Sequence, residues 1–345
     1  MNVHSLVAIS IAFLLEAVKW ERSFCAVSTA VTALLRLRVP RERRCLHPCA
    51  RMVLGGVMSN NLRNYTNPGL LISVAELSER LSTDGESPLV VDLRPTDQFA
   101  TGHIPGAVHL DLFGVSLVDT DSAPLSAFLW VIWHLLSSRG ADHARPVVVY
   151  DEQSGIRAAR AFWALEYFGH SDVRLLDGGF GFWERESAPV TQDAESPTAI
   201  SGVAKRVDDR LATWSNVHDC LERTDVAVVD TRSDAEYYGT KVRAKRGGAI
   251  PGAVHIEWVK NLDEHGAFKP ADALRDMYEA AGVTQDKEVI TYCQGGYRAA
   301  HTYLALRLLG YPRVRNYIGS WKEWGDRENL PIETPRLSSC GSTEK

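Results

Sequence analysis

The chain lacks the features that mark several large classes of protein. Its six cysteines in 345 residues follow no framework spacing, which favours a reducing compartment where thiols stay free. There is no excess of positive charge, since the formal net charge is −5, and no nucleic-acid partner is indicated. A hydrophobic fraction of 45% and a charged fraction of 23% are typical of a soluble globular protein. We therefore expect a cytoplasmic protein.

Long hydrophobic runs with the marks of a membrane or export signal are also missing at the N-terminus. The apolar run at residues 6–15 is too short to cross a bilayer, and no positive cluster precedes it as in a secretory signal. A basic stretch follows, and Met58 resembles the start of a soluble enzyme. We expect residues 1–57 to be a disordered extension or the result of a start site placed too far upstream. A targeting peptide is the alternative, and no membrane association is expected.

A metal site could be suggested by Cys45 and Cys49, which flank Leu-His-Pro. Structural zinc needs four ligands, and no second pair lies nearby in the sequence. We expect neither a metal nor a cofactor.

The sequence contains an internal duplication, which is searched for first because it decides the fold. Val-Val-Asp-Leu-Arg at 90–94 returns as Val-Val-Asp-Thr-Arg at 228–232, and Ile-Pro-Gly-Ala-Val-His at 104–109 returns unchanged at 250–255. Four residues of the first copy recur at a constant offset of 141 (310 − 169 = 141): Gly169, Val173, Gly178 and Trp183.

Each copy alternates predicted strands and helices. The β-branched runs at 147–150 and 289–292 are typical of buried parallel strands, and helical segments follow at 158–167 and 299–309. This alternation predicts the α/β class, with two domains that are each a parallel sheet flanked by helices. We predict domains at 64–190 and 213–333, a linker at 191–212 and a polar tail at 334–345.

One cysteine lies where such folds place their active sites, beyond the carboxyl end of a strand. Cys293 follows the strand at 289–292 and begins a loop before a helix. The helix N-terminus, the glycines of the loop and a nearby cation all favour a thiolate. We predict Cys293 as the nucleophile and the following loop as its anion cradle, formed by Gln294, Gly295, Gly296, Tyr297 and Arg298. Cys220, on a predicted apolar helix, is interpreted as a structural thiol.

These motifs resemble the tandem-domain rhodaneses, which include thiosulfate and 3-mercaptopyruvate sulfurtransferases. The resemblance covers about residues 64–333 and rests on the two Asp-x-Arg motifs, the two Ile-Pro-Gly-Ala motifs and the single strand-Cys-loop-helix. It implies a catalytically silent first domain. The first copy agrees, because Asp151 or Glu152 stands where Cys293 has its counterpart, and neither can form a persulfide.

The resemblance also implies a mechanism and its binding residues. Cys293 would take sulfur from a small anionic donor as a persulfide and pass it to cyanide, a thiol or a thioredoxin-like acceptor, in a protein expected to be a monomer. The family's Asp-x-Arg arginine binds the donor, which assigns that role to Arg232. The second copy has an insertion between its two motifs. From Asp230 to Pro251 there are 21 positions (251 − 230), whereas from Asp92 to Pro105 there are 13 (105 − 92). Related enzymes carry an anion-binding arginine there, so Arg243, ahead of Arg246, is a further candidate.

Two alternatives remain. Phosphatases of the same fold need five residues between Cys and Arg to wrap phosphate, whereas four separate Cys293 from Arg298. Mercaptopyruvate enzymes carry Ser and Thr in this loop and a His in the first domain. Here the loop has no Ser or Thr, and the corresponding first-domain segment, residues 110–128, has no His. Thiosulfate is therefore the expected donor, with 3-mercaptopyruvate as the main alternative and a cysteine-dependent phosphatase as a remote one.

Overall fold

The computed structural model describes residues 63–83, 87–142, 145–201 and 204–336. The predicted extension at 1–57, the cysteine pair within it and the last part of the predicted tail lie outside the described residues. Two α/β domains follow one another along the described chain.

The first domain alternates strands and helices, as expected for a duplicated α/β unit. Its elements in chain order are β1 (Leu71–Ile72), α1 (Val74–Ser82), β2 (Leu89–Asp92), α2 (Thr96–Thr101), β3 (Val108–His109), α3 (Ser122–Ser137), β4 (Val147–Tyr150), α4 (Ile156–Tyr167), β5 (Val173–Leu176) and α5 (Gly179–Arg185).

The second domain repeats this order. Its elements are β6 (Leu211–Ala212), α6 (Trp214–His218), β7 (Val226–Asp230), α7 (Asp234–Tyr237), β8 (Val254–His255), α8 (Ala271–Ala280), β9 (Glu288–Tyr292), α9 (Tyr297–Leu308), β10 (Val314–Tyr317) and α10 (Ser320–Asp326). Short 3-10 turns at Pro68–Leu70, Asp208–Arg210 and Trp258–Asn261 complete the described elements.

Both sheets are parallel and share one topology. Their strand orders are β1-β5-β4-β2-β3 and β6-β10-β9-β7-β8, so β4 and β9 are the central strands. The strands β7 and β9 are neighbours, yet the chain leaves β7 towards β8 on one side and β9 towards β10 on the other. Loops that diverge in this way open a crevice at the carboxyl ends of the strands. Cys293 lies at that end of β9.

The two domains share a continuous apolar core. The helix α9 is buried almost all round, as expected for a helix packed on every side, and it packs against α4 of the first domain. One cluster of buried side chains extends from Leu89 and Phe162 in the first domain to Tyr303 and Val314 in the second. Separate smaller clusters cover the outer face of each sheet.

The predicted α/β class with two parallel sheets is confirmed, and the four predicted strands and helices differ from the observed ones by at most a few terminal residues. The predicted linker at 191–212 ends too late, because Leu211 and Ala212 form β6 and pair with β10. Residue Thr191 also forms a bridge with His103 of the first domain. Short strands of two residues carry too little periodicity to be found from the sequence.

Candidate active site

The backbone of Cys293 is held on both sides by the start of α10. Its N–H donates to Ser320 Oγ at 3.1 Å, and its carbonyl oxygen accepts from the Trp321 N–H at 2.9 Å. The residue is 1% exposed. Because both of its backbone polar groups are bonded, the sulfur is presented from a rigid position.

The loop after Cys293 curls around the sulfur. The Gly296 N–H donates to Cys293 Sγ at 3.1 Å, and Gly296 is the N-cap of α9 with a φ of +83°. A Cβ at this position would lie 2.6 Å from Arg160 Nη1. A left-handed φ and a close neighbour together require glycine here.

The surroundings of the thiol favour its charged form. Burial raises the pKa of Cys293, but Arg298 and the N–H groups of Ala299, Gly295 and Gly296 lower it more. The net pKa lies below the ordinary value for cysteine. A lowered pKa with a fixed cation and a helix N-terminus is the environment of a reactive thiolate rather than of a structural thiol.

The guanidinium of Arg298 is held in place by a buried glutamate that the sequence analysis missed. Arg298 donates to both carboxylate oxygens of Glu236, at 2.6 and 3.0 Å. Burial alone would raise the pKa of Glu236, but the bonds from Arg298 and Ser233 bring it down to about 2. The spacing of Ser233 and Glu236 is that of a capping box, a signal for a helix start that gives no hint of the ion pair.

A cavity of about 340 Å³ opens above the sulfur. Both domains contribute to its wall, because the loop at 113–118 of the first domain faces the Cys293 loop of the second. The Tyr297 hydroxyl ties the two loops together by donating to the Leu112 carbonyl oxygen at 2.5 Å. The lining residues are Phe113, Gly114, Ser116, Leu117, Val118, Ile156, Arg243, Cys293, Gln294, Gly295, Tyr297, Arg298 and Lys322.

Three cations line this cavity. Besides Arg298, they are Arg243, whose side chain is 51% exposed and lies 3.5 Å from Glu236, and Lys322, which pairs with Asp326 at 2.7 Å. Gln294 Nε2 donates to the Arg243 carbonyl oxygen at 2.8 Å, which fixes the insertion against the loop. Lys322 was not predicted as a site residue. The only sequence signal for it is its position directly after Gly-Ser-Trp, in the first turn of α10.

Arg232 does not reach the cavity, and its predicted role in donor binding is corrected. It is 1% exposed, and its guanidinium donates to both oxygens of Asp230 and to the Gly248 carbonyl oxygen. In the first domain, Arg94 makes the same bonds to Asp92 and to Gly102. Because the first domain has the same Asp–Arg pair but no cysteine at its loop, we interpret the pair as structural. The presence of Asp-x-Arg in both copies could have indicated this from the sequence.

Arg246 is also turned away from the cavity. Its guanidinium donates to the carbonyl oxygens of Gly325, Leu330 and Trp324 at 3.1, 2.9 and 3.0 Å and also bonds that of Arg327. These contacts join the insertion to the end of α10. Of the two candidates in the insertion, only Arg243 lines the site.

We predict that Arg232→Ala destabilises the protein without changing the KM for its donor. The substitution leaves the Asp230 carboxylate buried without its cation, which costs about 3–5 kcal/mol for a buried pair. Urea unfolding of both proteins measures the loss, and steady-state kinetics below the unfolding transition measures the KM. A large rise in KM with unchanged stability would restore the donor-binding role.

The first domain fills its own cradle. Asp151 follows β4 as Cys293 follows β9, and its carboxylate accepts from the N–H groups of Gly155, Arg157 and Ala158 at 2.9, 3.0 and 3.1 Å. Glu152 is directed outwards and its side chain is largely exposed. The loop N–H groups that would hold an anionic sulfur or substrate are therefore already bonded to a side chain.

Two general features of the described residues bear on function. No group of three or more His, Cys, Asp and Glu side chains in the described part of the chain is arranged to hold a metal ion. In the same part, every helix is too short or too polar to cross a membrane.

Two parallel α/β domains with one cysteine cradle define a rhodanese-like protein. The sequence model of the rhodanese-like domain matches the chain twice, at residues 73–186 and 213–327. The chain therefore belongs to the rhodanese-like family, and the resemblance drawn from the sequence is confirmed.

Curated relatives give the same assignment. The thiosulfate sulfurtransferase of Azotobacter vinelandii is 35% identical over 78% of this chain and 99% of its own length. The enzyme of the same name from Pseudomonas aeruginosa is 35% identical over 78% and 98%. The sulfur carrier protein TtuD of Thermus thermophilus is 36% identical over 78% and 98%. Like the relatives named thiosulfate sulfurtransferase, the chain is an enzyme.

A solved structure confirms the fold. The anaerobic ergothioneine biosynthesis enzyme from Chlorobium limicola, in complex with trimethyl histidine, superposes with a TM-score of 0.68 at 21% identity, covering 79% of this chain and 72% of that one. At this identity the likeness concerns the architecture alone.

Proposed function

We propose that the protein moves a sulfane sulfur from thiosulfate to cyanide or a thiol through a persulfide on Cys293. The observation that carries this proposal is the rigid, buried Cys293 with a lowered pKa at the base of a cavity lined by three cations. The names of the Azotobacter and Pseudomonas relatives support the reaction.

In the first half-reaction, the Cys293 thiolate attacks the outer sulfur of thiosulfate. A new S–S bond forms at Sγ while the original S–S bond breaks, and sulfite leaves with the electron pair of that bond. In the second half-reaction, the carbon of cyanide attacks the outer sulfur of the persulfide. A C–S bond forms while the S–S bond to Sγ breaks, thiocyanate leaves, and Sγ keeps the electron pair as the restored thiolate. Covalent catalysis of this kind divides one transfer into two easier steps.

The cavity supplies what the first step needs. The charge of the donor is concentrated on the departing sulfite, so fixed cations near the outer part of the cavity stabilise the transition state. Arg298 is the fixed one, because Glu236 holds it by two bonds. Arg243 and Lys322, which are more exposed, are suited to attract and release the anion. The Gly296 N–H donates to Sγ, which stabilises the thiolate that begins and ends the cycle.

The loop composition favours thiosulfate over 3-mercaptopyruvate as the donor. The segment between Cys293 and Arg298 has no serine or threonine hydroxyl to assist a departing enolate, and its Tyr297 hydroxyl donates to the Leu112 carbonyl oxygen. A permanent cation suits a doubly charged donor. We infer that the enzyme acts as a monomer, because a single chain supplies both walls of the cavity. A reducing cytoplasm would keep Cys293 reduced.

The experiment is an assay of the purified full chain with thiosulfate and cyanide, in which thiocyanate is measured. We expect thiocyanate formation, a higher kcat/KM with thiosulfate than with 3-mercaptopyruvate, and, after thiosulfate alone, a Cys293 peptide that gains the mass of one sulfur atom. No thiocyanate with either donor would overturn the proposal. A higher kcat/KM with 3-mercaptopyruvate would replace the donor and retain the mechanism.

For Arg243→Gln we predict a KM for thiosulfate that rises about two- to fivefold, with little change in kcat, because an exposed charge interaction contributes at most about 1 kcal/mol. Lys245→Gln is the matched control, since Lys245 lies in the same insertion but pairs with Glu328 outside the cavity. Initial rates over a range of thiosulfate concentrations measure both constants. Equal effects of the two substitutions would reduce the role of Arg243 to general surface charge.

A further inference from the structure

The helices α4 and α9 exchange buried basic side chains across the domain boundary. Arg160 on α4 donates from Nη1 to the Gly296 carbonyl oxygen of the catalytic loop at 3.3 Å. His301 on α9 lies with Nε2 2.8 Å from the Ser154 carbonyl oxygen of the corresponding loop in the first domain. The two residues are 141 positions apart (301 − 160 = 141), the offset of the duplication. Each domain therefore supports the loop of the other.

The environment of Arg160 is unusual for a guanidinium. It is 2% exposed, and its Nη2 has no hydrogen-bond partner among the described residues. Three aromatic rings surround it, those of Phe128, Trp163 and Tyr297, with centroids at 5.8, 4.9 and 5.2 Å from the guanidinium carbon. Such rings favour a cation but do not neutralise it.

The buried arginines Arg94 and Arg232 differ from Arg160 because a carboxylate faces each of them. Burial lowers the pKa of Arg160, and the groups that offset this effect are Tyr297 and Cys293. The pKa of Tyr297 is raised, mainly by burial, so its hydroxyl is neutral at physiological pH. Among the described residues, the thiolate of Cys293 is thus the negative charge that interacts with this guanidinium.

We propose that Arg160 is a positioning residue through which the non-catalytic domain sets the reactivity of Cys293. Its guanidinium fixes the Gly296 carbonyl oxygen, together with Asn316 Nδ2 at 3.1 Å and the Ala300 N–H at 3.2 Å. The same peptide segment directs the Gly296 N–H at Sγ. The uncompensated charge behind the loop stabilises the thiolate and the charge that develops on sulfur when the persulfide forms and is consumed.

The asymmetry between the two exchanged side chains supports this role. Burial lowers the pKa of His301 to about 4, so a neutral imidazole reaches the loop of the first domain. That loop already holds the carboxylate of Asp151. The loop that holds a thiol receives a permanent cation, and the loop that holds a carboxylate does not. A purely structural contact would not require this difference.

Other titratable groups that line the cavity, or that belong to the ion pairs beside it, remain in place when Arg160 is changed. They come from the loop and α9, from α7, from the insertion, from α10 and from the end of β7: Tyr297, Arg298, Glu236, Arg243, Lys322, Asp230 and Arg232. A change in the titration of Cys293 on substitution of Arg160 therefore reports the contribution of Arg160.

The test measures the rate of alkylation of Cys293 by iodoacetamide against pH in the full chain, with the Cys293 peptide quantified by mass spectrometry. For Arg160→Met, whose side chain has a similar shape without charge, we expect the midpoint to rise by about one pH unit, and thus about tenfold less thiolate below it. Arg160→Lys, which keeps the charge, should have a midpoint close to that of the wild-type protein. His301→Gln, at the same interface, should leave the midpoint unchanged.

The inference rests on the proposed role of Cys293 as nucleophile, but alkylation needs no sulfur donor, so it can be tested even if thiosulfate is not a substrate. A folded Arg160→Met protein with the wild-type midpoint would overturn it. So would an equal shift in His301→Gln, which would indicate a general effect of the interface. If Arg160→Met does not fold, Arg160→Gln, which keeps a donor for Gly296 without the charge, gives the same comparison against Arg160→Lys.

Discussion

Replacing Cys293 by serine is expected to remove sulfur transfer, with a loss of at least about 10³-fold in kcat, as for other nucleophiles that form the covalent intermediate. A hydroxyl cannot take up the sulfane sulfur, and the cradle, which favours an anion, cannot make serine ionise at neutral pH. Thiocyanate formation measures the loss, and the absence of the persulfide mass on the corresponding peptide confirms its cause.

The matched control for this substitution is Cys220→Ser. Cys220 is also a buried free thiol, but its Sγ donates to the Val217 carbonyl oxygen, and burial raises its pKa to about 11. A serine can make the same bond, so we expect unchanged kinetics. Sulfur transfer that survives in Cys293→Ser, or disappears in Cys220→Ser, would contradict the assignment of the nucleophile.

Arg298→Ala is the second large effect that we expect, with kcat/KM for thiosulfate lowered about 10²- to 10³-fold, as when a fixed electrostatic group of an active site is removed. The substitution removes the main cation that lowers the pKa of Cys293. It also leaves the nearby Glu236 carboxylate without the guanidinium that binds both of its oxygens. The pH at which the alkylation rate of Cys293 reaches half its maximum should therefore rise. The loss should be greater for thiosulfate than for 3-mercaptopyruvate, because the former carries more charge.

The double variant Arg298→Ala with Glu236→Gln separates the two causes. Removing the carboxylate that has lost Arg298 should recover part of the activity and lower the alkylation midpoint again, whereas the contact of Arg298 with the donor stays lost. Urea unfolding is needed beside the kinetics, because removing one partner of a buried ion pair costs about 3–5 kcal/mol. If Arg298→Ala lowered kcat/KM equally for thiosulfate and 3-mercaptopyruvate, the reason for preferring thiosulfate would be removed.

The features predicted from the sequence are those that local chemistry and the duplication determine. The strands at β4 and β9 are β-branched runs, the repeat shows that the domains are equivalent, and the glycines after Cys293 identify its loop. Arg298 could be placed because it lies on the first turn of the helix that the loop begins. Each of these patterns lies within one contiguous segment or in the comparison of two such segments.

The features that were missed depend on contacts between distant segments. Whether Arg232 points to the cavity or back to Asp230 depends on the packing of Gly248 and Trp321 around it. Arg160 appears in the sequence as one of three charged residues on an otherwise apolar helix, and only the packing of α4 on α9 brings it to Gly296. Glu236 and Lys322 likewise reach the site through the tertiary fold.

The shared wall between the domains limits how the enzyme can be divided. A fragment that carried only the second domain would retain Cys293 and Arg298 in sequence, yet it would lose Arg160 and the opposite wall of the cavity. It would also expose to water the apolar side of α9 that α4 now covers. We therefore expect the half that carries Cys293 to depend on the other half for its cavity wall and its core, and fusions or truncations should keep both halves in one chain.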